Sequence, residues 1–137
     1  FQGFNDQFSE EFRNNYKDLM ITFIKDVRAE FEAPDMPVVI GVLGTGVTEE
    51  KVGENGVSLA QREAAKAPEF KGNVVSVESY TDYSHYSNEV FKKGWPEHYH
   101  EWDTVGSDRP YHYLGSGGFF VRLGDSVANA MAELITN

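Results

Sequence analysis

The stretch Pro37-Val38-Val39-Ile40-Gly41-Val42-Leu43, followed further on by Asn73-Val74-Val75-Ser76-Val77-Glu78-Ser79-Tyr80, decides the fold. The first run is apolar at nearly every position and rich in β-branched residues. That is the pattern of a strand buried on both faces, and such strands belong to parallel sheets. The second run, entered from Lys71-Gly72, reads as its partner. Between them Ser58 and Gln61 have the spacing of a capping box that opens a short helix to Ala67, and Pro68 closes it. Strand, helix, strand predicts a parallel βαβ unit with a right-handed crossover. Gly44-Thr45-Gly46 and the polar stretch to Gly56 read as the loop leaving the first strand. They lack the Gly-Lys-Ser/Thr ending of a phosphate loop and the full dinucleotide-binding spacing.

Upstream, Phe12, Tyr16, Leu19, Met20, Phe23, Ile24, Val27 and Phe31 recur every three or four residues and predict an amphipathic helix that Ala33-Pro34 ends. Downstream, Phe119, Phe120, Leu123, Val127, Ala130, Met131, Leu134 and Ile135 form a second helical stripe, with Ser116 as its N-cap. The segment between Tyr80 and Tyr113 is crowded with aromatics, and short helices are expected over 87–93 and 97–105. No internal repeat or linker divides the chain, so one domain is expected over 4–137. Phe1-Gln2-Gly3 matches the end of a protease recognition sequence used to remove affinity tags; it is read as a tag remnant and set aside.

A chain of 137 residues, 40% of them hydrophobic, is one soluble globular domain or a piece of a larger one. Twelve Lys and Arg stand against 22 Asp and Glu, and the resulting net charge of -10 repels phosphate backbones and anionic lipid. Neither nucleic acid nor a membrane is expected as a partner. The apolar run 38–43 is far short of the ~20 residues that span a bilayer. The absence of cysteine excludes disulfides, a thiolate nucleophile and thiolate metal ligands, and suits an oxidising or a reducing compartment equally.

Of the four histidines, three are candidates for chemistry. His112, in Tyr111-His112-Tyr113-Leu114-Gly115-Ser116, sits on a loop before the last helix, an anchored but reachable seat that suits a general base. His98 and His100 lie among three acids in Glu97-His98-Tyr99-His100-Glu101-Trp102-Asp103, and in a strand they share a face. In a helix they point ~200° apart and cannot chelate together, and Pro96 favours the helix. No metal or cofactor is assigned. Ser58 is explained by helix capping, and Ser126, in Gly124-Asp125-Ser126-Val127, by a solvated helix surface, with Asp125 facing away from the apolar stripe.

Four segments in order resemble the SGNH hydrolases, and within them the sialate O-acetylesterase-like carbohydrate esterases. They are Phe23-Ile24-Lys25-Asp26-Val27-Arg28, the strand from Pro37 to Gly44, the stretch from Pro68 to Val75 with Val77-Glu78, and His112-Tyr113-Leu114-Gly115-Ser116. The resemblance covers the C-terminal half of such a domain. It implies an α/β fold: the C-terminal portion of a parallel-sheet, three-layer, flavodoxin-like SGNH fold, with two main strands and flanking helices. It also implies hydrolysis of acetyl esters on sugars by a Ser-His mechanism, with His112 as the base and the serine outside this chain. The family's orienting Asp falls three residues before the histidine, where this chain has Arg109, so Asp108 acts through an altered loop or a backbone carbonyl takes that role. Tyr111, Tyr113, Trp95 and Trp102 would stack on the acetylated carbohydrate; the same aromatics equally suit a core. A secreted or periplasmic location is implied. The alternative is a non-catalytic carbohydrate-binding or protein-interaction module on an esterase-derived scaffold.

The strand 38–43 contains no internal charge or proline to discourage pairing with another chain, and Phe12, Phe23, Ile24 and Phe31 exceed what two strands cover. A homo-oligomer is therefore expected, most simply a dimer in which strand edges or first helices meet.

Overall fold

Val38–Val42 (β1) and Val74–Glu78 (β2) pair in parallel, with Val38 opposite Val74 and Val42 opposite Glu78. The computed structural model describes residues 1–45 and 47–136, so the Gly46 of the expected loop lies outside it. The two β-branched runs thus form the expected parallel unit. The Val38 N–H donates to Asn73 O. By the alternation of a parallel ladder, residues 38, 40 and 42 therefore turn their peptide groups to β2, and residues 39, 41 and 43 turn theirs to the open edge.

The crossover differs from its expectation in two respects. The polar stretch read as a loop contains a helix, α2 (Glu49–Glu54), whose N-cap Thr48 accepts from the Lys51 N–H. The next helix, α3 (Gly56–Ala65), begins before Ser58, and its cap is Asn55, whose Oδ1 accepts from the Val57 and Ser58 N–H groups. Ser58 and Gln61 are therefore not a capping box. The earlier start carries both onto the buried face of α3, where Ser58 Oγ donates to Leu43 O (2.6 Å) and Gln61 Oε1 accepts from the Leu43 N–H (2.7 Å). Gln61 Nε2 also donates to Gln2 O and to the Tyr16 hydroxyl. The segment set aside as a tag remnant is thus hydrogen-bonded into the fold, and Phe1 packs over Gly41.

The first helix, α1 (Glu10–Glu30), is capped by Ser9 and buries Tyr16, Ile24 and Arg28. Its apolar stripe is only half covered: α1 packs chiefly on α3, and Phe12, Leu19, Phe23 and Phe31 remain exposed. Near its end Arg28 donates twice to Met36 O and once to Asn73 Oδ1, with its guanidinium 5.2 Å from the centre of the Phe70 ring. One side chain thereby ties the helix, the turn before β1 and the entry to β2.

The remaining α-helices are α4 (His85–Lys92), α5 (Tyr99–Trp102) and α6 (Gly117–Thr136), the last capped by Ser116 as expected. Both α3 and α6 contact both strands. Glu78 turns to α3, where it pairs with Arg62 at 2.7 and 2.9 Å. Val74 joins Ile24, Ile40 and Ala64 in one core cluster, and Val75 and Val77 lie beside Ala130 and Leu134 of α6. Helices therefore flank the two-stranded sheet. Among the described residues no helix is long and apolar enough to cross a membrane.

The Leu43 contacts give a stability prediction. Gln61→Ala removes the partner of the buried Leu43 N–H as well as two further bonds, and leaving such a donor unpaired costs about 1–3 kcal/mol. We expect a loss of at least about 2 kcal/mol in urea unfolding. Glu63→Ala, which breaks only the exposed pair with Lys17, should cost under ~1 kcal/mol.

Candidate active site

The two strands deliver their carboxyl ends to one place. Beyond β1 come Leu43, Gly44 and Thr45, and beyond β2 a single 3-10 turn, Ser79–Asp82. A Cβ at Gly44 would lie 2.5 Å from the Tyr80 nitrogen and 2.6 Å from Ser79 Oγ, so only glycine lets the two exits approach this closely. Ser79 Oγ, fully buried, donates to Val42 O at 2.6 Å.

The segment carrying His112 is fixed onto this junction. The Tyr113 hydroxyl accepts from the Gly44 N–H (2.8 Å) and lies 3.4 Å from Ser79 Oγ, while its ring stacks on Phe119 with centroids 4.0 Å apart. Burial pushes the Tyr113 phenol above its ordinary range, against the opposing hydrogen bonds from Ser79 and Gly44. Burial does the same to Tyr83, reinforced by the neighbouring Tyr113. Leu114 is buried beside Val90 and Trp102, so His112 precedes two anchored residues. His112, Tyr113, Leu114 and Gly115 have φ of 44°, 60°, 63° and 63°, a left-handed turn built mostly from residues that disfavour it. The Gly115 N–H closes the turn on Tyr111 O at 2.7 Å.

His112 is exposed at the wall of a cavity of about 470 Å³ that Phe4, Thr45, Tyr83, Pro110, Tyr111, Tyr113 and Leu114 complete. The Phe4 ring meets the imidazole edge to face at 5.5 Å, and Tyr111 lies 6.5 Å away. Among the described residues no hydrogen bond joins His112 to Asp108, which is exposed on the preceding loop. Among the described residues the only non-aromatic hydroxyl on the cavity walls, that of Thr45, donates to Gln7 Oε1.

The other sequence candidates lie elsewhere. Trp102 is fully buried with its indole N–H donated to Ser107 O (2.6 Å), and Trp95 is half-buried against it, ring centres 5.8 Å apart. Of the two settings open to these aromatics, a sugar cleft or a core, Trp102 takes the core and has no free face, and Trp95 packs against it, away from the cavity beside His112. Ser126 is half-buried rather than solvated, and its Oγ donates to the buried Asp82 carboxylate, whereas Asp125 is exposed. Ser58 is spent on Leu43. His98 stands at the N-cap position of α5 without a side-chain capping bond and His100 lies within the helix, both exposed, and no group of three or more metal-ligating side chains is gathered among the described residues. Phe4 and Thr45 escaped the sequence reading because only the tertiary fold brings them beside His112.

A parallel strand pair flanked by helices places the chain in the α/β class, with a reachable histidine over the carboxyl ends of its strands. Within it, the family model for carbohydrate esterase, sialic acid-specific acetylesterase, matches residues 1–92, and the chain belongs to that family. The matched region includes α1, both strands and α4, and it ends before His112. Comparison with curated proteins and with solved structures gives no match.

Two measurements check this geometry. Tyr113→Phe strips the Gly44 N–H of its buried partner and should cost about 1–3 kcal/mol in denaturant unfolding. Tyrosine ionisation followed by ultraviolet absorbance should show late-titrating groups, because Tyr16, Tyr83 and Tyr113 are all shifted upward by burial. A phenol whose folded pKa exceeds its unfolded value keeps its proton longer in the native state. Its stabilising contribution is in place below about pH 10 and is lost as pH rises through the folded value, so thermal stability should fall above about pH 10.

Proposed function

We propose that this chain supplies the histidine-bearing part of a carbohydrate O-acetylesterase, built as the C-terminal portion of a three-layer SGNH fold. The observation that carries the reading is the seat of His112: exposed, on a strained turn, over the carboxyl ends of two parallel strands, beside an aromatic-walled cavity in a chain of this family. On this reading His112 is the general base. It takes the proton of a serine hydroxyl as that oxygen attacks the acetyl carbon, and returns it to the departing sugar oxygen. Water then cleaves the acetyl-enzyme with the same base. Asp108 is the proposed orienting acid, drawn to the imidazole when substrate orders the loop, since catalytic hydrogen bonds commonly tighten only in the complex. Tyr111, with Phe4 and Tyr83, supplies the apolar walls on which sugar rings stack, while Tyr113, buried against Phe119 and so without a free face for a sugar, holds the wall in place.

The serine is assigned to a partner segment outside these 137 residues, because no serine lines the cavity among the described residues and Thr45 is engaged with Gln7. The same observation favours the second reading, a carbohydrate-binding module on an esterase-derived scaffold. Two assays on the chain as it stands test both. Aryl acetate turnover should not rise above background, and turnover that disappears in His112→Ala overturns the assignment of the nucleophile elsewhere. In a nuclear magnetic resonance titration with O-acetylated sialic acid, the His112 and Tyr111 signals should shift, and less so with the deacetylated sugar. Flat titrations with a folded chain remove the carbohydrate from both readings.

A further inference from the structure

Thr45 stands on the wall of the cavity beside His112, and the hydrogen-bonding polarity of its hydroxyl is set from the start of α3. The first link is Asn55. Its Oδ1 accepts from the backbone N–H groups of Val57 and Ser58 at 3.0 and 3.1 Å, so the other end of the amide, Nδ2, faces away from the helix as a donor. Nδ2 donates at 3.0 Å to the side-chain amide of Gln7, and the atom that receives it must be the oxygen, Oε1. The same Oε1 lies 3.1 Å from Thr45 Oγ1. An amide oxygen only accepts, so Thr45 spends its one hydroxyl proton on Gln7. Arg13 holds the bridging residue in place, its Nη1 donating to Gln7 O at 2.6 Å.

We propose that Thr45 is a specificity-determining residue that selects a hydrogen-bond donor on the ligand, an inference that rests on the carbohydrate reading of this cavity. With its proton committed to Gln7, the Thr45 oxygen offers the cavity lone pairs alone. A free sugar hydroxyl can donate to it. An ester oxygen in the same place cannot, and two acceptors would face each other. The ligand class is therefore a partly acetylated sugar that keeps a free hydroxyl beside its ester, rather than a fully acetylated one. The same wiring says how the preference is removed. In Asn55→Asp one carboxylate oxygen still caps α3, since aspartate and asparagine are equally good caps. The other carboxylate oxygen accepts where Nδ2 donated, so the Gln7 amide turns over and donates Nε2 both to the new carboxylate and to Thr45. The Thr45 proton is then released toward the cavity, and the residue becomes a donor.

Nuclear magnetic resonance titrations of the wild type, Asn55→Asp and Thr45→Val, each shown folded by circular dichroism, test the proposal. The probes are a methyl pyranoside with one acetyl ester beside a free hydroxyl, and the same sugar with that hydroxyl replaced by fluorine, which is close in size and cannot donate. The wild type should bind the hydroxyl form at least ~fivefold more tightly, about the worth of one hydrogen bond, and both variants should bind the two probes within ~twofold. Without any sugar, the Gln7 side-chain amide signals should move in Asn55→Asp. Unmoved Gln7 signals overturn the relay from Asn55 to Thr45. Equal wild-type affinities, or a preference that survives in Thr45→Val, overturn Thr45 as the selector and leave the sugar site standing. A wild type that binds neither probe while the Gln7 signals do move overturns the carbohydrate reading, and this selection with it.

Discussion

Where β1 runs out of strand neighbours, side chains take over. The peptide of Leu43 faces away from β2, and both its hydrogen-bonding groups are met by α3, through Gln61 and Ser58. A buried peptide left without partners would cost more than most single contacts contribute. This requirement fixes the rotation of α3 against the sheet. Through the other end of Gln61 it also fixes Tyr16 of α1 and the carbonyl of Gln2. The next peptide, Gly44, extends the logic by donating to Tyr113. Two consecutive residues at the end of one strand thus position the crossover helix on one side and the histidine segment on the other.

The histidine segment is held against its own backbone preference. Each non-glycine residue in a left-handed turn costs about 1–2 kcal/mol, and three stand there. Burying Tyr113 and Leu114 returns about 1.5–3 kcal/mol each, and the Tyr113–Phe119 stack adds about 0.5–1.5. The terms are of one size, so the turn persists because its neighbours are satisfied on both sides. His112 is the residue of the three that contributes no burial; it takes its orientation from the turn and keeps its imidazole free.

The parts of this architecture that were legible in the sequence are those encoded locally. β1 and β2 follow from unbroken β-branched runs, α1 and α6 from apolar periodicity, and Ser116 from its place before a helix. The start of α3 was misplaced because Ser58 satisfies the capping pattern while its hydroxyl is used by a distant peptide. Trp95 and Trp102 show the same difficulty: an aromatic that covers a core and one that meets a sugar have the same sequence, and only the packing under α4 and α5 separates them. The setting of His112 and the family resemblance single it out as a candidate, but its left-handed conformation is not legible, since neither tyrosine nor leucine favours it. The cavity walls come from Phe4, Thr45 and Tyr83, far apart in the chain, and no local signal joins them.

The Arg28 clasp has a consequence for how the molecule responds to its surroundings. Its partners are two neutral oxygens and an aromatic face, none of which titrates, and a guanidinium keeps its proton throughout the accessible pH range. The join between the first helix and the entrances of both strands is therefore indifferent to acidity. A lysine there would present a single ammonium in place of the planar fork and would meet burial by giving up its charge. The scaffold at the amino ends of the strands thus stays constant through changes in acidity, and the rim that carries His112 is built on a base that does not vary.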